Sequence, residues 1–429
     1  MLYKREDYLS KIRSFYNETD LIKVITGVRR CGKSTLMQLI IEELLNHGIA
    51  KENILLINLE KTEFRKVRTV ESLEKTINKL SLSSSKGIKY LFIDEIQYVK
   101  NFEEYINSLR ADGDWSIFLT GSNSYLLSSE IGTILTGRYI PFEVFPLSFK
   151  EYEEMKALYG KTINPNPLIE IDSYIRNGGF PRSVLFDDDI AKRTYVESIV
   201  SEIFEKDIKQ RVKIKNTDTF DSVINFIIGN FGSEISINSI QKEFKKRDIS
   251  ISRETLNRYI KALCDAKIIY ECKRFDTKSK KILSGEKKYY LADTSFYYAR
   301  NTDAKVNYGP SLENIVFLYA KSKNYSISVG KVGNFECDFI LRTTDSSYSY
   351  VQVAYTILAS PETEEREYRV LEKIKDNWPK YIVTTDYSLI KRNGIQHINI
   401  INFMLENKSF WEIIFNSWLF KRQKNRNNK

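Results

Sequence analysis

The stretch Leu21-Ile22-Lys23-Val24-Ile25-Thr26-Gly27-Val28-Arg29-Arg30-Cys31-Gly32-Lys33-Ser34-Thr35 decides the reading of this chain. Residues 27–34 fit G-x-x-x-x-G-K-[ST], the pattern of a phosphate-binding loop. The β-branched run before it predicts a strand, and Thr35-Leu36-Met37-Gln38-Leu39-Ile40-Ile41 predicts the opening of a helix. In that setting the glycines let the backbone curl so that successive N–H groups face phosphate oxygens. The helix N-terminus adds a dipole of the same sense. Gly27, Val28, Arg29, Arg30, Cys31, Gly32, Lys33, Ser34 and Thr35 are therefore the candidate nucleotide-binding residues. Lys33 is expected to reach the β- and γ-phosphates of ATP, and Ser34 to ligate Mg²⁺.

Downstream, Ile54-Leu55-Leu56-Ile57-Asn58-Leu59 predicts a buried parallel strand. Tyr90-Leu91-Phe92-Ile93-Asp94-Glu95 is an apolar strand ending in two acids. Carboxylates at a buried strand end cost stability unless a metal or ligand occupies them, so Asp94 is read as a Mg²⁺ ligand and Glu95 as the residue that polarises the attacking water. A further strand, Ser116–Thr120, runs into Gly121-Ser122-Asn123, where Asn123, or else Ser122, is placed to meet the γ-phosphate or the water; a plain Gly-Ser-Asn turn fits those residues as well. Arg138 precedes the strand Tyr139–Val144 and reads either as a finger reaching a neighbouring subunit's phosphate or as a solvated arginine. Strands alternate with helices through residues 20–145, which predicts a parallel sheet covered on both faces.

Composition bounds the rest. The chain has 429 residues, enough for two to four domains, and a net charge of +10, which favours anionic partners. No apolar run approaches a membrane span, and the first residues have no apolar core of a signal peptide. The four cysteines, Cys31, Cys264, Cys272 and Cys337, form no C-x-x-C pair, and one lies in the phosphate loop, which suits a reducing cytoplasm. With two histidines, His47 and His397, any catalysis falls to carboxylates and Mg²⁺.

Residues 1–20 read as a solvated helix. Residues 149–215 are helical and charged, broken by Gly178-Gly179-Phe180-Pro181. Residues 219–300 read as three helices, Thr219–Phe231, Ile237–Phe244 and Arg253–Ile268, followed by strands Ile268–Phe275 and Lys287–Leu291 around a hairpin with Lys278, Lys280, Lys281 and Gly285. That is the pattern of a winged helix. In DNA-binding versions the third helix enters the major groove and the wing touches phosphate, which nominates Arg253, Arg258, Lys261, Lys280 and Lys281. A winged helix used only for packing fits the same pattern, since Glu254 and Asp265 share the third helix.

Gly-Val-Arg-Arg-Cys-Gly-Lys-Ser-Thr, Ile-Asp-Glu-Ile-Gln at 93–97, Thr-Gly-Ser-Asn at 120–123, Gly-Arg-Tyr at 137–139 and Pro146-Leu147-Ser148-Phe149 together resemble a prokaryotic family of AAA-type ATP-binding proteins of the catalytic-glutamate class. The C-terminal half of that family is a domain of unknown function. The resemblance implies an ATPase, a lid in which Pro181 packs near the nucleotide base with Arg182 as a sensor, and assembly into homo-oligomers. Residues 303–405 resemble the PD-(D/E)XK nuclease fold: Glu313 and Asp338 match its helix and strand acids, Gln352 stands for the second acid and Ala354 for the lysine. The resemblance implies a degenerate site unless Lys380 supplies the missing lysine.

The expected architecture is α/β: an ATPase core at 1–148 with a parallel sheet, a helical lid at 149–215, a winged helix at 216–302, a nuclease-like α/β domain at 303–405, and a helix and basic tail at 406–429. A DNA-engaging ATPase, a slow nucleotide-gated switch and an ATP-regulated nuclease are the three functions this permits.

Overall fold

The computed structural model describes residues 2–81, 86–121, 137–209, 212–301, 305–410 and 412. The chain divides into two compact units: one runs to Pro146 and takes in Asp265–Lys267, and the other holds the rest of the described residues.

In the first unit, helix α1 (Glu6–Arg13) precedes β1 (Ile22–Thr26), and α2 (Lys33–Asn46) follows it. Then come β2 (Ile54–Asn58), α3 (Val70–Ser81), β3 (Lys89–Asp94), α4 (Phe102–Ala111), β4 (Trp115–Thr120) and β5 (Tyr139–Glu143). The strands form one five-stranded sheet in the order β2-β3-β4-β1-β5, with every pairing parallel. β1, β3 and β4 are nearly continuous apolar runs because central parallel strands are buried on both faces. Ile22, Val24, Ile57, Leu91, Ile93, Ile117 and Leu119 pack with Leu73, Ile77, Phe102 and Ile106 of α3 and α4. The first helix is not the solvated element its polarity suggests. Tyr8, Leu9 and Ile12 are buried one turn apart, and only its other face is wet.

The second unit opens with α5 (Phe149–Leu158), α6 (Pro167–Asn177) and α7 (Asp189–Ile203). Ser148 and Glu151 close a capping box at the start of α5. Next come α8 (Thr217–Gly229), β6 (Glu234–Ile235), α9 (Ile237–Lys246), α10 (Arg253–Asp265), β7 (Ile269–Asp276), β8 (Lys281–Leu291) and α11 (Ser295–Arg300). The remainder is α12 (Tyr308–Ser322), β9 (Ser326–Val332), β10 (Phe335–Arg342), β11 (Tyr348–Val353), α13 (Pro361–Glu372), β12 (Lys380–Thr384), β13 (Gln396–Asn399) and α14 (Ile400–Glu406).

Here the structure departs from a chain of separate modules. The wing strands do not stand free. One eight-stranded sheet runs β13-β12-β11-β10-β9-β7-β8-β6, and β7 pairs in parallel with β9, Arg274 opposite Val329. Residues 216–302 and 303–405 therefore share a single sheet. Its core is cemented by the stacked rings of Tyr290 and Phe317, 4.4 Å apart, with Phe339 against both.

Candidate active site

The phosphate loop leaves β1 at Gly27, whose φ of 147° and tight packing leave no room for a side chain: a Cβ there would lie 2.1 Å from the Val144 carbonyl oxygen. Gly32, at φ 105°, turns the loop into α2. Between them Arg30 holds φ 68°, a left-handed conformation rare outside glycine. The loop is braced from behind. Buried Arg5 donates from Nη1 to the carbonyls of Cys31 (3.2 Å) and Phe145 (2.7 Å). The Cys31 side chain points inward, and burial raises its thiol pKa. Val28 is buried, Arg29 is buried and pairs with Glu60 at 3.8 Å, and Thr35 is half-buried at the start of α2. Lys33 Nζ donates to the carbonyls of Gly27 (3.1 Å) and Val28 (3.4 Å), curled into its own loop.

The parallel register brings the β3 end beside this loop. Asp94 is buried and hydrogen-bonded by the Ser34 hydroxyl, so the two expected metal ligands meet. Thr120 Oγ1 donates to Asp94 Oδ1, and Asn58 Nδ2 donates to Oδ2 at 2.8 Å. Burial pushes the Asp94 carboxyl above the usual carboxylate range, against the bonds from Thr120 and Ser34. A serine hydroxyl and one carboxylate are hard oxygen donors that leave several coordination positions for water and phosphate, which fits Mg²⁺.

Glu95 sits one residue on at φ 61° and is 7% exposed. Its N–H donates to Thr120 Oγ1 at 3.0 Å, so one hydroxyl at the tip of β4 fixes both acids. Gln97 Nε2 donates to Glu95 Oε2. The sequence reading gives no role to Asn58, Thr120 or Gln97, although the last two lie within the motifs at 120–123 and 93–97. The first two carry a signal all the same: each is the polar last residue of a strand, directly after an apolar run (residues 54–57 and 117–119). Asn123 and Ser122 lie outside the described residues.

Arg138 is exposed and is not brought to its own chain's phosphate loop. Its carbonyl accepts the Ile22 N–H at 2.9 Å, where β1 and β5 begin, whereas Gly27 follows their far ends. Five residues at about 3.3 Å each separate the two edges by ~16 Å.

In the second unit, Gly178 and Gly179 answer to packing. A Cβ on Gly178 would fall 1.8 Å from Asp293 Oδ1, and one on Gly179 2.2 Å from the Leu147 carbonyl. Gly179 N–H donates to buried Asp293 at 2.7 Å, and burial raises that carboxyl to about 6. Pro181 is half-buried and Arg182 exposed. Arg253, Arg258 and Lys261 are exposed on α10, and Lys280 and Lys281 are exposed at the hairpin tip.

Glu313, Asp338 and Gln352 do come together, with a lysine that the sequence pattern does not nominate. Lys288, on β8, places Nζ 3.1 Å from Glu313 and 2.9 Å from Glu336. Burial pulls its pKa down, but Glu313, Asp338 and Glu336 outweigh that and hold it above its ordinary value. Asp338 is raised well above the carboxylate range by burial and then by Glu313. Its Oδ2 accepts the Val353 N–H at 2.7 Å, while Gln352 accepts the Asp338 N–H at 3.3 Å and donates to Glu367 at 2.9 Å. Ala354 is half-buried beside this cluster's strand. Lys380 is spent elsewhere: its amine donates to the carbonyls of Asp376 (2.8 Å) and Trp378 (3.4 Å). Among the described residues, no three His, Cys, Asp or Glu side chains are grouped to hold a metal ion, and no helix is long and apolar enough to cross a membrane.

Residues 19–153 match the AAA domain family, and residues 169–305 match a domain of unknown function. An uncharacterised protein of Haemophilus influenzae is 35% identical over 406 residues, spanning 94% of this chain and 99% of its own length. The uncharacterised protein MJ1544 of Methanocaldococcus jannaschii is 34% identical, spanning 83% of this chain and 79% of its own. The Walker-type ATPase paby2304 of Pyrococcus abyssi aligns over 70% of this chain and 95% of its own at 16% identity, with a TM-score of 0.49. With its parallel five-stranded sheet and matched AAA domain, the chain belongs to the family of AAA-type P-loop proteins that includes the Haemophilus and Methanocaldococcus relatives.

Proposed function

We propose that the first unit is a Mg²⁺-dependent ATPase. The observation that carries this is the meeting of Ser34, Asp94, Thr120 and Glu95 at one sheet edge beside the phosphate loop. The loop's N–H groups and Lys33 take the phosphates, Lys33 trading its two carbonyl partners for phosphate oxygens. Ser34 and Asp94 hold Mg²⁺, which when bound screens the phosphate charge. Glu95 accepts a proton from the attacking water as the water oxygen bonds to the γ-phosphorus and the bond to the bridging oxygen breaks, releasing ADP.

The test separates binding from chemistry. Lys33→Ala should lose nucleotide affinity, whereas Glu95→Gln should bind ATP and hardly turn over. Equal affinity and equal turnover in both variants would remove Glu95 from the role given to it. Tightly retained nucleotide with slow turnover in the native protein would favour a nucleotide-gated switch over a motor-like ATPase.

Two extensions rest on placement. Arg253, Arg258 and Lys261 are exposed on α10, and Lys280 and Lys281 are exposed at the hairpin tip, the two elements with which a winged helix binds duplex DNA. Arg138, far from its own phosphate loop, suits a ring in which it serves a neighbour's ATP. The nuclease-like region we read as non-nucleolytic, because neutral Gln352 stands in place of the second acid and its amide is engaged with the Asp338 N–H and with Glu367. Metal-dependent DNA cleavage that disappears in Asp338→Ala would overturn that reading.

A further inference from the structure

Gln97 follows Glu95 by two residues, on the 3-10 turn Ile96–Tyr98. The left-handed backbone at Glu95 bends the chain off the strand axis, and the turn carries the Gln97 amide back onto the Glu95 carboxylate. The two halves of that amide fare differently. Nε2 donates to Glu95 Oε2, while Oε1 is buried and has no hydrogen-bond partner among the described residues. A buried acceptor left without a donor is costly, so the native site is expected to supply one.

A general base needs a water on its carboxylate, and that water carries two O–H groups. One must point to the Glu95 carboxylate to be abstracted. The other needs an acceptor, and the unpaired Gln97 Oε1 lies on the same group that holds the carboxylate. We infer that Gln97 is a positioning residue for hydrolysis: its N–H₂ orients Glu95 and its carbonyl oxygen accepts the second O–H of the attacking water. This rests on the reading of Glu95 as the base. Thr120 and Asn58 contribute no competing acceptor, since Thr120 Oγ1 is committed to Asp94 and the Glu95 N–H, and Asn58 Oδ1 accepts the Glu60 N–H.

The experiment is a double-mutant cycle on the full chain with Mg-ATP, following ATP affinity, single-turnover hydrolysis and melting temperature. Gln97→Met keeps the length of the side chain and removes both polar atoms. It should slow hydrolysis about 100-fold, the scale of removing one fixed polar interaction from the transition state, with ATP affinity and melting temperature unchanged. Gln97→Asn, which keeps the amide on a shorter arm, should recover part of that rate. On a Glu95→Gln background Gln97→Met should slow hydrolysis no further, because the two act on one water. An undiminished or faster rate in Gln97→Met, an additive loss on the Glu95→Gln background, or a parallel fall in ATP affinity and melting temperature would each overturn the proposal. Full turnover in Glu95→Gln alone would instead overturn the base assignment, so the two failures are distinguishable.

Discussion

Lys288→Met tests the claim that a single ammonium holds the second unit's acids together. The Lys288 side chain is 6% exposed and lies within 3.1 Å of Glu313 and 2.9 Å of Glu336. Methionine fills a similar volume, so the packing term is small and the charge term dominates. Without the ammonium, Glu313 keeps the Tyr290 hydroxyl at 3.1 Å and still faces Asp338. Stranding a buried charge by deleting its partner costs about 3–5 kcal/mol. A unit of this size loses about 2–4 °C of Tm per kcal/mol, so its transition should fall by roughly 6–20 °C. Calorimetry reads this directly, and hydrogen exchange in peptides covering 281–291 and 308–322 assigns it to β8 and α12. Adding Glu313→Gln to Lys288→Met removes the stranded charge and should recover much of the loss, while Glu313→Gln alone should cost less than Lys288→Met. A Lys288→Met protein that melts within about 1–2 °C of the native one, with unchanged exchange in those peptides, would refute the reasoning.

Three further outcomes are expected. Arg138→Ala should bind ATP normally yet turn over about 10³-fold more slowly; mixing it with Lys33→Ala should restore some activity, and no recovery in a demonstrably mixed assembly ends the shared-site reading. Buried Lys23 donates to the Glu18 and Leu21 carbonyls and to Ser116, and burial lowers its pKa from 10.5 to about 7. The folded pKa is therefore below the unfolded one, the unfolded chain holds the extra proton between those values, and stability should rise with pH from about 7 toward 10; Lys23→Met should flatten that rise in pH-dependent calorimetry, and an unchanged slope would contradict it. Affinity for duplex DNA should fall steeply with salt, and reversing the charge of Arg253, Arg258 and Lys261 should lower the log–log slope by about one for each phosphate no longer engaged; no binding at low salt would leave α10 as a packing helix.

The first unit is legible from residues 21–35 and 90–95 because its signals are local. A phosphate loop is a strand, a glycine-bearing turn and a helix start within one short stretch, and the two acids Asp94 and Glu95 follow directly on an apolar run. Backbone sterics and burial of a continuous apolar run set these features wherever they occur. The polar tips Asn58 and Thr120 are visible as residues but not as partners. Which strand end meets Asp94 depends on the sheet order β2-β3-β4-β1-β5, set by packing between segments far apart in the chain.

The second unit shows what only the tertiary structure decides. The composition of the runs Ile268–Phe275 and Lys287–Leu291 marks strands, but it is the same whichever neighbour a strand pairs with. The parallel pairing of β7 with β9, between segments distant in sequence, leaves no trace in that composition, and residues 216–302 and 303–405 read as separate domains. Sequence spacing directs the search for a lysine beside Glu313 and Asp338 to β11 and β12. It arrives instead on β8, where Lys287 pairs with Glu271 and Lys288 turns to Glu313 and Glu336. Gly178-Gly179 reads as a generic break because the atoms that demand glycine there, on Asp293 and Leu147, come from distant segments. Local chemistry names the groups able to bind a phosphate or a proton. Only the fold decides which buried charge faces which, because that pairing is settled by the desolvation of whole surfaces rather than by any one residue's neighbours in sequence.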